Sequence, residues 1–275
     1  MSQELSTELQ GESYLPKESG FVRRTFPRIS FTSQDKTEGK GKSMTVIEEA
    51  GTFFIEKPTD DTDEKGKRIY GKEEIGKSFE GVIFFTRKKL SYYDQAAGKF
   101  VSSSLYDQDT DEIVLWQDGK QIAKGTKKEL QAPYNFIKED GKASTKLAEN
   151  KVLYVWYNGE IFELTIKGTS MFEYSGYYKN CMGEPNKNLT LISSIEAENG
   201  ATRWNKTTYK RVRQLTQDEW DTTRQLAKEM VEGIAEEKAY FSAIDTNVPA
   251  PASEPMWDPN LPAVKVEVLG DGHEM

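Results

Sequence analysis

Two-residue Asn-Gly and Asp-Gly turns make this a hairpin-rich chain. Asp118-Gly119, Asn158-Gly159 and Asn199-Gly200 each stand between β-like flanks. A type I′ turn needs positive φ at both central residues. These dipeptides tolerate that best, so each marks a hairpin. The second hairpin, Lys151 to Lys167, is the clearest element. A two-residue loop sets Tyr157 opposite Glu160, Trp156 opposite Ile161, Val155 opposite Phe162, Tyr154 opposite Glu163 and Leu153 opposite Leu164. Side chains alternate along a strand, so Leu153, Val155, Tyr157, Phe162 and Leu164 form one core-like face. Tyr154, Trp156, Ile161 and Glu163 form the other face, half aromatic and half polar.

The remaining segments extend this pattern. Phe26, Ile29 and Phe31 open a first strand. Residues 32–43 and 57–68 are polar and rich in Gly and Lys, which predicts loops, with two short strands between them around Ala50-Gly51. From Ser78 to Asp94 the β-branched and aromatic runs predict one long strand or two consecutive ones. Lys99 to Tyr106 and Glu112 to Lys124 add strands, while residues 125–150 are mostly polar. Gly168 to Cys181 reads as a short helix capped by Thr169 or Ser170. Thr216 and Glu219 form a capping box. The helix it starts carries Trp220, Ala227, Met230, Val231 and Ile234 near helical spacing through Phe241. Pro249, Pro251, Pro255, Pro259 and Pro262 then mark a linker.

Charge narrows the choice of partner. The net charge of the 275 residues is −8, yet Phe21 to Leu215 sums to +4 and the flanks to −12. The body is thus mildly basic and the ends are acidic. No stretch approaches the roughly 18 apolar residues of a membrane span, and the polar N-terminus does not read as a secretory signal. These features predict a cytoplasmic protein. One cysteine, Cys181, and one histidine, His273, leave no Cys/His zinc site within the chain. Neither a phosphate-cradling glycine loop nor a serine elbow is present. The acidic runs Asp107, Asp109, Asp111, Glu112 and Asp60, Asp61, Asp63, Glu64 lack the spacing of a calcium loop and read as solvated turns. No cofactor, metal or catalytic residue is expected.

Three constellations suit a single-stranded nucleic acid, which needs rings for bases among cations for phosphates. Arg87, Lys88 and Lys89 precede Tyr92. They read as a phosphate clamp beside a stacking ring, or as an ordinary solvated strand end. Tyr154 and Trp156 lie on the less apolar face of the second hairpin, free to stack on bases or packed under the C-terminal helix. Arg203, Lys206, Tyr209, Arg211 and Arg213 line the return strand of the third hairpin. On a regular strand Tyr209, Arg211 and Arg213 share a face, either a binding face or a solvated one.

The ordered series FPRISF, GTFFIEK, IGKSFEGVIFFTRKKLSYYD, LYVWYNGEIFELTIKGTSMFEY and TYKRVRQLT, followed by a helix ending EKAYF, resembles bacteriophage single-stranded DNA-binding proteins. The likeness covers roughly residues 25–243. It implies a mainly β fold, an OB-like barrel with hairpin elaborations and a C-terminal α-helix. It also implies single-stranded DNA as partner and largely sequence-independent coating in replication or recombination. In that family an acidic tail often recruits replication proteins. Here the tail ends His273-Glu274-Met275 without an acidic run, so recruitment of replication or recombination proteins through it is left open. The expected organisation is a flexible acidic arm (1–25), a nucleic-acid-binding domain with its helix (26–243) and a proline-rich tail (244–275). A β-rich phage structural or assembly protein would share the hairpins and the acidity, and is the rival. An enzyme ranks third.

Overall fold

A computed structural model describes residues 26–38, 45–62, 68–94, 98–117, 120–139 and 141–243. The expected arm and tail, and Asp118-Gly119, lie outside these residues. The strands are β1 (Arg28–Phe31), β2 (Lys36–Glu38), β3 (Thr45–Glu48), β4 (Phe53–Thr62), β5 (Arg68–Gly76), β6 (Ser78–Asp94), β7 (Lys99–Ser103), β8 (Ile113–Gln117) and β9 (Lys120–Gly125). After helix α1 (Lys127–Gln131) come β10 (Asn135–Ile137), β11 (Ala143–Thr145), β12 (Ala148–Tyr157) and β13 (Glu160–Ile166). Helix α2 (Thr169–Asn180), β14 (Asn188–Asn199), β15 (Thr202–Gln214) and helix α3 (Gln217–Ala243) complete the order.

The large sheet runs β5-β4-β1-β13-β12-β6-β7-β8-β9, with the β14–β15 ribbon joined to the start of β6. It is mixed, because β1 pairs with β13 in parallel while its other ladders are antiparallel. As expected, the described residues are mainly β with a C-terminal helix; their strands form a large mixed sheet and do not close into a barrel. No helix there is long and apolar enough to cross a membrane.

β6 is the spine, one unbroken strand that pairs with β14 at Ser78–Gly81, with β12 at Val82–Ser91 and with β7 at Ser91–Asp94. A bulge sets Tyr154 opposite Phe85 and Val155 opposite Ile83, leaving Phe84 as the extra residue. Val82, Ile83 and Phe84 are all buried because both faces of the sheet are covered here, Ile83 joining one cluster and Val82 and Phe84 the other. One face packs Leu153, Val155, Phe162 and Leu164 against Tyr174 and Tyr177 of α2. The other packs Val152, Tyr154 and Phe84 against Met230, with Leu226 and Ala227 at its margin. A third cluster joins the far half of β6 to Val101, Ile113, Leu115 and Leu130.

Several local expectations need correction. β2 lies inside one expected loop and β4 runs through the first half of the other. Pro58 falls past the part of β4 that β1 covers, where one ladder edge is open. Asn199 pairs with Thr202, so the third hairpin turns at Gly200-Ala201, one residue later than predicted. Gly200 takes φ 61° at the first central position. The stretch 125–150 holds α1, β10 and β11, and α1 is opened by a box in which the Thr126 amide donates to Glu129 Oε2 (2.7 Å). Neither Thr169 nor Ser170 caps α2. Gly168 does, at φ 49°, because the two hydroxyls accept bonds from Trp204 Nε1 (3.2 Å) and the Thr207 amide (3.0 Å) and tie α2 to β15. The second hairpin keeps the predicted register at all five positions. The Thr216 box likewise opens α3, where the Thr216 amide donates to Glu219 Oε2 (2.8 Å). On α3, Thr223, Met230, Ile234 and Glu237 are buried, whereas Val231 is exposed and Trp220 is half-buried beside Lys187.

Candidate functional site

The basic residues singled out above do not converge on one surface. Arg87 is 2% exposed and points at α3. Its guanidinium donates to Glu237 Oε2 (2.5 Å), Asp107 Oδ1 (3.2 Å) and the Leu105 carbonyl (3.0 Å), so it clamps the helix and not a phosphate. Lys88 is paired with Asp109 (2.8 Å) over the Tyr106 ring, and Lys89 is half-buried. Tyr154 is buried, and Trp156 packs beside it at the edge of the Met230 cluster, the arrangement foreseen as packing under the C-terminal helix. In the third hairpin Lys206 is held by Glu173 (2.5 Å), and Arg203 faces Glu196 and Glu198 across the ribbon (3.6 and 3.8 Å).

Tyr209 turns inward. Its ring meets those of Tyr174 (5.4 Å) and Tyr177 (5.9 Å), and its hydroxyl shares a bond with Thr207. A bulge beyond Arg211 takes Arg213 off the face that the regular alternation gives Tyr209 and Arg211. Arg213 lies opposite Leu189 and Arg211 opposite Thr190, so Val212 is an extra residue that breaks the alternation. Arg211 is exposed, while Arg213 grips Glu219 with two bonds of 2.7 Å. That grip, together with the Thr216 amide, holds the Glu219 carboxyl at about 2. The acidic turn is likewise paired: Asp109 with Lys88 and Lys127, Asp107 and Asp111 with Lys238. Among the described residues no acidic, His or Cys cluster could hold a metal ion.

A different surface combines rings and cations. A groove of ≈ 470 Å³ runs between the β6–β7 hairpin, the start of β12 and α2. Tyr93 and Phe100 stand directly opposite each other across the β6–β7 ladder and are 55% and 49% exposed. Phe172, on α2, lines the same groove and is 78% exposed. Three large rings turned to solvent in one groove are what a soluble surface ordinarily avoids. Tyr92, alone among the predicted residues, also lines it, steadied edge-on by Tyr134 (5.8 Å). Lys146 and Lys167 stand on the rim, and among the described residues neither is bridged to a carboxylate. The acid present, Glu149, is pushed up by burial. Bonds from Lys127 (2.6 Å) and the Tyr106 hydroxyl (2.7 Å) outweigh that and hold it below the usual carboxylate range. Its charge is therefore largely spent, and the groove keeps a positive rim.

The sequence marked Tyr92 but not Tyr93, Phe100, Phe172, Lys146 or Lys167. The available signal was the Tyr92-Tyr93 pair followed by Lys99-Phe100 across a short loop, an aromatic cross-strand pair. Nothing local brings Phe172 to it. Family models, curated proteins and solved structures contain no match to this chain.

Proposed function

We propose that the chain binds single-stranded DNA in the groove between β6–β7 and α2, largely without regard to sequence. Phage-type replication or recombination is the setting, as in the family it resembles. The observation that carries this reading is the set of exposed rings, Tyr93, Phe100 and Phe172, beside two unbridged lysines. Stacking on such rings contributes roughly 1–3 kcal/mol per base, and every base offers a π-face. A duplex hides those faces, so single strands are favoured. Kinship with OB-like proteins, whose barrels are partly open, belongs to the same proposal and rests on the order of the sequence motifs.

Titration of labelled oligo(dT) by fluorescence anisotropy at several salt concentrations tests this. Binding should weaken steeply with salt, because displaced counterions drive it. Tryptophan emission should change too, since Trp204 is bonded to Thr169, next to Gly168 on the groove wall. Absence of binding at low salt would sink the reading. The same exposed rings would also suit a protein partner in a phage assembly. In that case oligo(dT) fails to bind while Phe172→Ala disrupts self-association or partner capture.

A further inference from the structure

Behind Ser175 of the groove wall stands a lysine whose position along β12 is that of a core residue. Lys151 lies opposite Ile166 and shares a pleat with Leu153 and Val155, under α2. Its ammonium sits over the Tyr174 ring (5.3 Å) and donates to Ser175 Oγ (3.2 Å). The Ser175 hydroxyl proton is spent on the Met171 carbonyl (2.7 Å), which leaves Oγ as acceptor, and Ser175 itself lines the groove. Among the described residues Lys151 has no carboxylate in bridging distance, and Ser175 Oγ is its one side-chain acceptor. Partial burial, only partly opposed by the charge of Glu149, pushes it below the ordinary lysine range. Most other interior cations of this protein have a carboxylate: Arg87 has Glu237, Lys127 has Glu149, Lys206 has Glu173.

We propose that Lys151 seats a phosphodiester oxygen of the bound strand, with Lys146 and Lys167 on the rim and the rings of Phe172 and Tyr93 taking bases on either side. This refinement rests on the groove being the DNA face. The ammonium is pre-oriented by Tyr174 and Ser175, and its missing counter-charge is the one that the ligand brings. A lysine that only covers Tyr174 with its stem would give the same packing and no ligand response.

The test uses the full-length chain with ¹⁵N-labelled lysine, the Nζ signal of Lys151 being assigned with Lys151→Met. Inorganic pyrophosphate and oligo(dT) are titrated separately. Both should shift the Lys151 signal. Lys151→Met should bind oligo(dT) about tenfold more weakly, as expected for one charged hydrogen bond. Its salt slope should fall by about 0.7, the share of one single-strand phosphate. Lys151→Arg should keep the slope. If Lys151→Met does not fold, Lys151→Arg, which also removes the lysine signal, makes the assignment and the wild-type shifts decide alone. Oligo(dT) binding that leaves the Lys151 signal still would overturn the seat and leave the groove reading intact. A shift with pyrophosphate but no binding of oligo(dT) would keep an anion seat and reject the DNA reading. No response to either ligand rejects both.

Discussion

Replacing Arg87 by alanine should destabilise the fold by about 3–5 kcal/mol, the usual result of removing one partner from a buried ion pair. The structure says why the cost is high. Arg87 and Glu237 have side chains only 2% and 7% exposed, and the pair joins β6 to the far half of α3. Without the guanidinium, Glu237 is a carboxylate in the interior whose main counter-charge is gone. Asp107 loses less, because Lys238 still holds it at 3.0 Å. At roughly 2–4 °C per kcal/mol for a chain of this size, the melting temperature should fall by about 6–20 °C. Arg87→Met with Glu237→Leu should recover most of that loss, since an apolar pair of similar volume removes the stranded charge. Urea denaturation followed by circular dichroism measures both variants, and oligo(dT) titration below the melting range measures binding. A loss below about 1 kcal/mol would refute the account of the pair. Lowered DNA affinity at unchanged stability would refute it differently, by returning Arg87 to the phosphate-clamp role.

Three other outcomes are expected. Phe172→Ala and Tyr93→Ala should each weaken oligo(dT) binding by roughly 1–3 kcal/mol with little change in salt slope or melting temperature, because exposed rings contribute stacking and not core packing. Met230→Ala should cost about 2–5 kcal/mol, as for a fully packed core methionine, which thermal melts will report. Glu219 has a depressed folded-state pKa, so its contribution is present above the unfolded value near 4.5 and lost as pH falls toward about 2. Acid titration of stability should show that loss, and in Arg213→Ala the loss should be smaller and complete at higher pH.

What local sequence could show depended on how far the determining contacts reach. The β12–β13 hairpin was readable to the residue because its turn and its partners lie within one short segment. The Thr216 box is legible for the same reason, whereas the equivalent Thr126 box is masked by the polar stretch around it. The bulges at Phe84 and Val212 are not legible, since each is set by a partner strand and not by the bulged sequence. The partners of the basic residues are out of local reach for a related reason: Arg87 finds Glu237 150 positions away, and Lys206 finds Glu173 33 positions away. A run of cations in sequence says nothing about where its counter-charges lie. The groove likewise draws Tyr93, Lys146 and Phe172 from three separate segments that meet only once α2 is seated.

The parallel pairing of β1 with β13 has a consequence for how the chain is made. Ile29 is buried beside Leu164, a partner that emerges from the ribosome some 135 residues later. At about 5–20 residues per second, synthesis alone separates the two strands by on the order of ten seconds. During that interval the β1–β4–β5 unit has an exposed edge with Ile29, Phe53 and Ile55 uncovered on its face. Such an edge invites pairing with other nascent chains. Overproduction that crowds ribosomes on one message should therefore favour aggregation through this N-terminal unit, and slow, cool expression should relieve it.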